Sequence, residues 1–260
     1  MASHFQRGSE VLKPLSWYKS LHDSKGRCEA GAFLVEGPRA IRQIAGVSPG
    51  SVIEIVVMEG DDNVSNAFKC PVRTLTRPQF KSICISRNPS GPLAVVAMPL
   101  DSESASLPAD KGDRILICED IQDPGNIGAL VRTAAALDFS GMVLSDKCAD
   151  PFGPKAVQAS AGTLLSLWLR RTPDFRRCIK GLVNMGFSCI AADLRGTDVL
   201  SGIRPKRFAL ILGNEGNGLG DESLALATHV VKIPINSRKA ESLNVAASGA
   251  ICMYSLTIGK

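Results

Sequence analysis

Between positions 113 and 260 the chain alternates short, wholly apolar runs with longer stretches of helical spacing. The runs RILIC (114–118), GMVLS (141–145), FSCIAA (187–192), FALIL (208–212) and HVVKI (229–233) read as strands. Helices are expected between them over 126–137, 154–161, 174–185 and 220–227, and a last helix over 243–256. Strands that are apolar on both faces and alternate with helices predict an α/β fold, with a mostly parallel sheet covered on both sides.

The pattern before residue 99 is less regular. Helical spacing at 17–22 and 38–45, with VIEIVVM (52–58) and LAVVAM (93–98) as strands, predicts a second, smaller α/β unit. The stretch PLDSESASLPADKG (99–112) has no apolar periodicity and reads as an interdomain linker. The expected organisation is therefore 1–98, a linker at 99–112, and 113–260, with no internal repeat.

Composition narrows this picture only modestly. Thirty basic and 25 acidic side chains give +5, which permits a polyanionic partner without demanding one. Residues 1–98 hold 12 basic and 8 acidic side chains, so the smaller unit is proportionally the more basic. The eight cysteines form no C-x-x-C pair and only three histidines accompany them, so no metal site is expected. Their placement in apolar runs reads as thiols of a reducing compartment, and the expected location is cytoplasmic. No apolar stretch reaches membrane-spanning length, and residues 1–21 show no apolar signal core.

The richest chemistry lies where predicted strands end. After the run at 208–212 comes a loop with glycines at 213, 216, 218 and 220 and a carboxylate, Glu215, in its middle. A dinucleotide fingerprint starting at Gly216 would need its third glycine at 221, where Asp221 stands, and no Gly-Lys-Ser/Thr follows. Glu215 would also repel a phosphate, so the loop suits a neutral or cationic ligand.

Two further loops share that edge. In EDIQDPGNIGALVR (119–132), Asn126 stands at a helix start, either as a cap or as a site amide. Arg132 lies one turn beyond Gly128 and is either aimed at the strand end or solvated. In IPINSRKAESLNV (233–245), Ser242 is a candidate N-cap and Asn244 a poor helix former in a first turn, which invites a functional reason. Glu215 itself is either a turn carboxylate or a site group.

Taken together, NIGALVR (126–132), LGNEGNGL (212–219), and IPI (233–235) with ESLNV (241–245) resemble the three motifs of the SpoU/TrmH class of SPOUT RNA methyltransferases. More loosely, KGRCEAGAFLVEGPR (25–39) resembles the start of the ribosomal-protein-like substrate-binding domain that many members carry. The resemblance implies a C-terminal trefoil knot, S-adenosylmethionine as cofactor, a homodimer, and methyl transfer to a ribose 2′-hydroxyl of RNA. Ribosomal RNA is implied over transfer RNA, and no membrane partner is implied. It assigns cofactor contacts to Gly213, Ile233, Ile235, Leu243 and Leu194, with Asp193 nearby, and a polar site to Asn126, Arg132, Glu215, Ser242 and Asn244. The alternatives are a base-modifying methyltransferase and a non-catalytic RNA-binding assembly factor. Two segments depart from the family pattern: the basic NSRKA (236–240), and NPSGP (88–92) where members often carry Thr-Pro-Gln-Gly.

Overall fold

The computed structural model describes residues 13–61, 70–89, 91–203 and 205–258. Most of the N-terminal stretch expected to lack a secretion signal lies outside them.

Two sheets organise the chain. The first runs β1-β4-β2-β3, from β1 (Ala32–Glu36), β2 (Val52–Met58), β3 (Val72–Leu75) and β4 (Leu93–Ala97). Here β4 is antiparallel to both β1 and β2, while β3 is parallel to β2. Helices α1 (Leu15–Ser20), α2 (Ser24–Ala30), α3 (Pro38–Val47) and α4 (Arg77–Ile83) accompany it.

The second sheet has the order β7-β6-β5-β10-β8-β11-β9 and every pairing in it is parallel. Its strands are β5 (Arg114–Cys118), β6 (Gly141–Ser145), β7 (Trp168–Thr172), β8 (Ser188–Ala192), β9 (Asp198–Val199), β10 (Phe208–Leu212) and β11 (His229–Lys232). Helices α5 (Pro124–Ala136), α6 (Pro154–Ser160), α7 (Phe175–Asn184), α8 (Asp221–Leu226) and α9 (Val245–Thr257) flank it. All five residues of β10 are buried, as are those of β6. Parallel strands bonded on both edges and covered on both faces leave no exposed position, which is why these runs carry no polar alternation.

Edge strand β7 escapes the apolar pattern because its sequence, WLRRT, carries two arginines. Arg170 is nonetheless buried: its guanidinium pairs with the Asp101 carboxylate and donates from Nε to Ser106 O at 3.0 Å. Ser102 O also accepts from Arg171 N at 2.7 Å, and Ser102 is buried. The 99–112 stretch, expected from the sequence to be an interdomain linker, is thus strapped along β7 at several points. Its backbone and acidic groups are what allow charged residues into a sheet edge.

The two sheets share one hydrophobic core. Phe33, Ile41 and Ile44 from the first belong to the same buried cluster as Leu116, Ile127 and Phe152 from the second. Phe33 and Phe152 meet with ring centroids 5.2 Å apart. Beside them, buried Arg27 donates to Leu21 O, His22 O and Asp150 Oδ2, at 2.9, 2.8 and 2.5 Å. Gly162 (φ +87°) lets backbone approach there, since a Cβ would fall 2.4 Å from Ala40 O.

Candidate active site

Loop 213–220 leaves the carboxyl end of β10 and folds straight back on itself. Asn214 and Gly218 exchange both backbone hydrogen bonds at 3.0 Å, and Gly218 takes φ +68°. A Cβ on Gly213 would lie 2.4 Å from the Gly218 carbonyl carbon and 2.6 Å from Leu219 N. These two glycines therefore serve loop closure, and both also line the cavity described below. The Asn214 side chain fills the turn: Oδ1 accepts from Gly216 N and Asn217 N at 2.9 and 3.0 Å, and Nδ2 donates to Asp120 O at 2.8 Å. Asp120 meets it from a left-handed conformation (φ 56°), with its carboxylate held by Ser145 Oγ at 2.6 Å.

That bracing puts Glu215 over the start of α5. Its Oε1 accepts from Asn126 Nδ2 at 2.9 Å and Asp123 N at 3.3 Å, and its Oε2 from Gln122 N at 3.3 Å. Burial alone would raise its pKa, but these donors outweigh it and hold the carboxyl below the usual range. The Asn126 amide is fixed at its other end, where Oδ1 accepts from Asn244 Nδ2 at 3.0 Å. Asn244 Oδ1 in turn accepts from Ala246 N and Ala247 N. One chain of amides thus ties the N-terminus of α9 to the start of α5 and to the 213–220 loop.

The capping roles differ from the sequence reading. Asp123, not Asn126, caps α5, accepting from Asn126 N at 2.9 Å. Asn244, not Ser242, caps α9. Asn126 is thereby released from capping, and its side chain bridges the two neighbouring loops. Asn244 costs nothing in helix propensity because it lies outside the helix, where asparagine is favoured.

Beyond the strand ends lies a cavity of about 330 Å³, lined in part by Gly213, Glu215, Ile233, Ile235, Ser242 and Leu243. Leu194 also lines it and is 54% exposed; with Leu243, 38% exposed, it leaves apolar surface open to a ligand. Asp193 and Arg195 form the opposite wall. Their ion pair at 2.8 Å is extended by Arg195 Nη1 to Asp221 at 2.9 Å and Arg195 Nη2 to Leu219 O at 2.6 Å. The hydrogen bond from Arg195 holds the Asp193 carboxyl below its ordinary pKa against the opposing effect of burial.

Seven of the ten predicted site residues thus line one cavity, and Asn126 and Asn244 join it through hydrogen bonds. Arg132 stands apart: it is exposed on α5 and makes no hydrogen bond or ion pair among the described residues. Gly128, one turn before it, is buried against α6. The supporting groups Asn214, Asp120 and Arg195 escaped the sequence reading. Asn214 had a visible signal, a side-chain amide flanked by glycines in a turn, but its partner 94 residues away had none.

Comparison with known proteins gives this arrangement a family. The profile of the SpoU rRNA Methylase family matches residues 113–254. The chain is 29% identical to the 23S rRNA (guanosine(2553)-2'-O)-methyltransferase RlmP of Bacillus subtilis, over 92% of this chain and 94% of that protein. It is 28% identical to the 23S rRNA (uridine(2479)-2'-O)-methyltransferase of Streptomyces viridochromogenes, over 92% and 86% respectively. The crystal structure of the SpoU methyltransferase AviRb from Streptomyces viridochromogenes in complex with AdoMet has the same fold. It superposes with a TM-score of 0.80 at 24% identity, covering 94% of this chain and 96% of that one. A profile match across more than half the chain, with relatives aligned along nearly its whole length, shows that the protein belongs to the SpoU rRNA methylase family.

Proposed function

We propose that this methyltransferase transfers a methyl group from S-adenosylmethionine to a ribose 2′-hydroxyl of ribosomal RNA. The observation that carries the reading is the convergence of loop 213–220, the start of α5 and the N-terminus of α9 on one half-apolar cavity through the Glu215–Asn126–Asn244 chain. Both named relatives methylate 23S rRNA at a 2′-oxygen.

The cavity fits the cofactor. Exposed Leu194 and Leu243 offer apolar contact to a flat purine, with Ile233 and Ile235 alongside, while the carboxylates of Asp193 and Glu215 suit hydroxyl groups and a positive charge. When bound, the cofactor supplies an electrophilic methyl group on a sulfonium. The chain's own residues hold the alcohol in line with it, and such orientation is worth ~7–11 kcal/mol.

Arg132 makes no hydrogen bond or ion pair among the described residues, so it is free to grip an RNA phosphate beside the target ribose and polarise the 2′-hydroxyl. A guanidinium stays protonated and cannot serve as base. Glu215, with three donors on its oxygens and a lowered pKa, is a weak base and acts as the clasp of the site. The hydroxyl proton then leaves to water. Asn126 and Asn244 position the clasp, and Ser242 lies at the cavity edge toward the substrate side.

The finer features follow the same reading. Residues 1–98 act as the RNA-binding unit, and 113–260 as the catalytic unit with a knotted C-terminal segment. Ile251, Tyr254 and Ile258 leave one apolar stripe exposed along α9, the surface a homodimer would cover. No helix among the described residues is long and apolar enough to cross a membrane. Ribosomal RNA as substrate and the eight free cysteines favour the cytoplasm.

Arg132→Ala tests the assignment. It is expected to lower kcat by about 10²–10³-fold, with S-adenosylmethionine affinity by calorimetry within a few-fold of wild type. Turnover like wild type removes Arg132 from the mechanism. Mapping the methyl group by mass spectrometry of digested RNA separates ribose from base; a methylated base overturns the proposed chemistry.

A further inference from the structure

A second cavity, of about 270 Å³, lies away from the first, where the two sheets meet. Its walls come from both units: Glu36, Ala40 and Phe80 belong to the first, Val157 and Gln158 to α6 of the second, and Asn88 to the 85–92 loop. We infer that this cavity receives one unstacked nucleobase of the RNA substrate, held between the two units. The inference rests on the reading of the protein as an RNA methyltransferase and adds to it a binding subsite remote from the reacting atoms.

Size is the first argument. Sites for drug-sized ligands begin at about 300 Å³, so this one suits a single ring system. Chemistry is the second. Apolar wall from Phe80 and Val157 matches a ring face, while the exposed amides of Asn88 and Gln158 match the polar edge of a base. Glu36 lines the cavity but is not seeking a cation. Its Oε1 accepts from Ile85 N and, at 3.3 Å, from Ser86 N, and its Oε2 accepts from Ser86 Oγ at 2.5 Å. The carboxylate therefore holds the chain at Ile85 and Ser86 beside the opening.

The rim supplies the third argument. Arg87 sits between the lining residues Ser86 and Asn88, Arg39 precedes Ala40, and Lys155 follows Pro154. All three are exposed and none makes a hydrogen bond or ion pair among the described residues. A half-apolar slot bordered by exposed amides, with unpaired cations around its opening, is the combination that a single-stranded nucleotide requires: a stacked base within, phosphates outside.

Rigidity makes such a subsite useful. The buried Arg27–Asp150 pair and the Phe33–Phe152 contact fix the two units beside this cavity. A base held here stands at a set distance from the methyl-transfer site, so the subsite selects which ribose arrives there.

The test uses the full chain and ribosomal RNA purified from cells lacking this protein, with a fluorescent single-stranded oligoribonucleotide as a second probe. Gln158→Trp on the exposed face of α6 fills the opening, and melting temperature confirms that it folds. It is expected to raise KM for RNA at least tenfold and to weaken oligonucleotide binding, while cofactor affinity stays within twofold. Arg87→Gln is expected to reduce the slope of log affinity against log salt by about one. KM and oligonucleotide affinity within twofold of wild type in Gln158→Trp overturn the inference. If the wild-type protein transfers no methyl group, the proposed function fails, and oligonucleotide binding decides the cavity's role by itself.

Discussion

Gly128→Ala is the most direct probe of how packing under the site governs chemistry above it. Gly128 lies about one turn into α5, on the face that meets α6. A Cβ there would lie 2.3 Å from Ala156 O, 2.6 Å from Ala159 Cβ and 3.0 Å from Ser160 N, against the 3.4 Å at which ordinary contact begins. Two of the three obstacles are backbone, so no rotamer change relieves them, and the helices must part by about 1 Å. Overpacking of this kind costs ~1–3 kcal/mol, partly offset by the ~1 kcal/mol that helix propensity gives alanine over glycine. A net loss of up to about 2 kcal/mol lowers Tm by up to roughly 8 °C for a chain of this size. Because α5 carries Asn126 and Arg132, a shift near 1 Å is expected to lower kcat by up to about 10²-fold.

The control is Gly181→Ala on α7, where the nearest atom to a new Cβ is Met185 Cε at 3.8 Å. There the propensity gain of ~0.5–1 kcal/mol stands unopposed and Tm should rise. Calorimetric melting and steady-state methylation of the two variants read both effects. A Gly128→Ala protein as stable and as active as wild type would refute the argument that the close approach of α5 and α6 places the site.

Two other outcomes follow from the amide chain. Asn244→Ala removes the cap of α9 and the donor that fixes Asn126; a stability loss of ~1 kcal/mol is expected from the cap, together with a kcat loss that Ser242→Ala does not share. Equal activity in Asn244→Ala and wild type would separate the cap from catalysis. Glu215, whose folded pKa is depressed, stabilises the protein above its unfolded pKa, and that contribution disappears as pH falls through the lower folded value. Wild type should therefore exceed Glu215→Gln in unfolding free energy from denaturant titration at pH 7, by under about 1 kcal/mol for so exposed a group. The gap should close in acid, and a gap that widened there would contradict the hydrogen-bond pattern.

The sequence by itself determined the second sheet's strands β5, β6, β8, β10 and β11; for the first four, burial on both faces forces continuous apolar runs that leave little ambiguity. It also marked Gly213, Glu215, Asn126 and Asn244, since short motifs of polar residues and glycine at strand ends are unusual in a core-forming pattern. The tertiary structure alone decided the rest. Edge strand β7 was hidden by Arg170 and Arg171: the carboxylate that neutralises Arg170 lies in the 99–112 segment, and the carbonyls that accept from Arg171 follow β6. Strand β3 went unread because its four residues, VRTL, are half polar and too few to show a period, whereas β1, as long and as apolar as the strands that were read, was missed beside the helical spacing at 38–45. Which residue caps α5 and α9 depended on where each helix began, to within a residue or two. The roles of Asn126 and Asn244 turned on that, because a side chain spent on its own helix cannot also bridge to another. Nor did spacing reveal that Gly128 faces α6 or that Asn214 reaches Asp120. Both contacts join residues far apart in sequence, and only the packing of helices and strand ends brings them together.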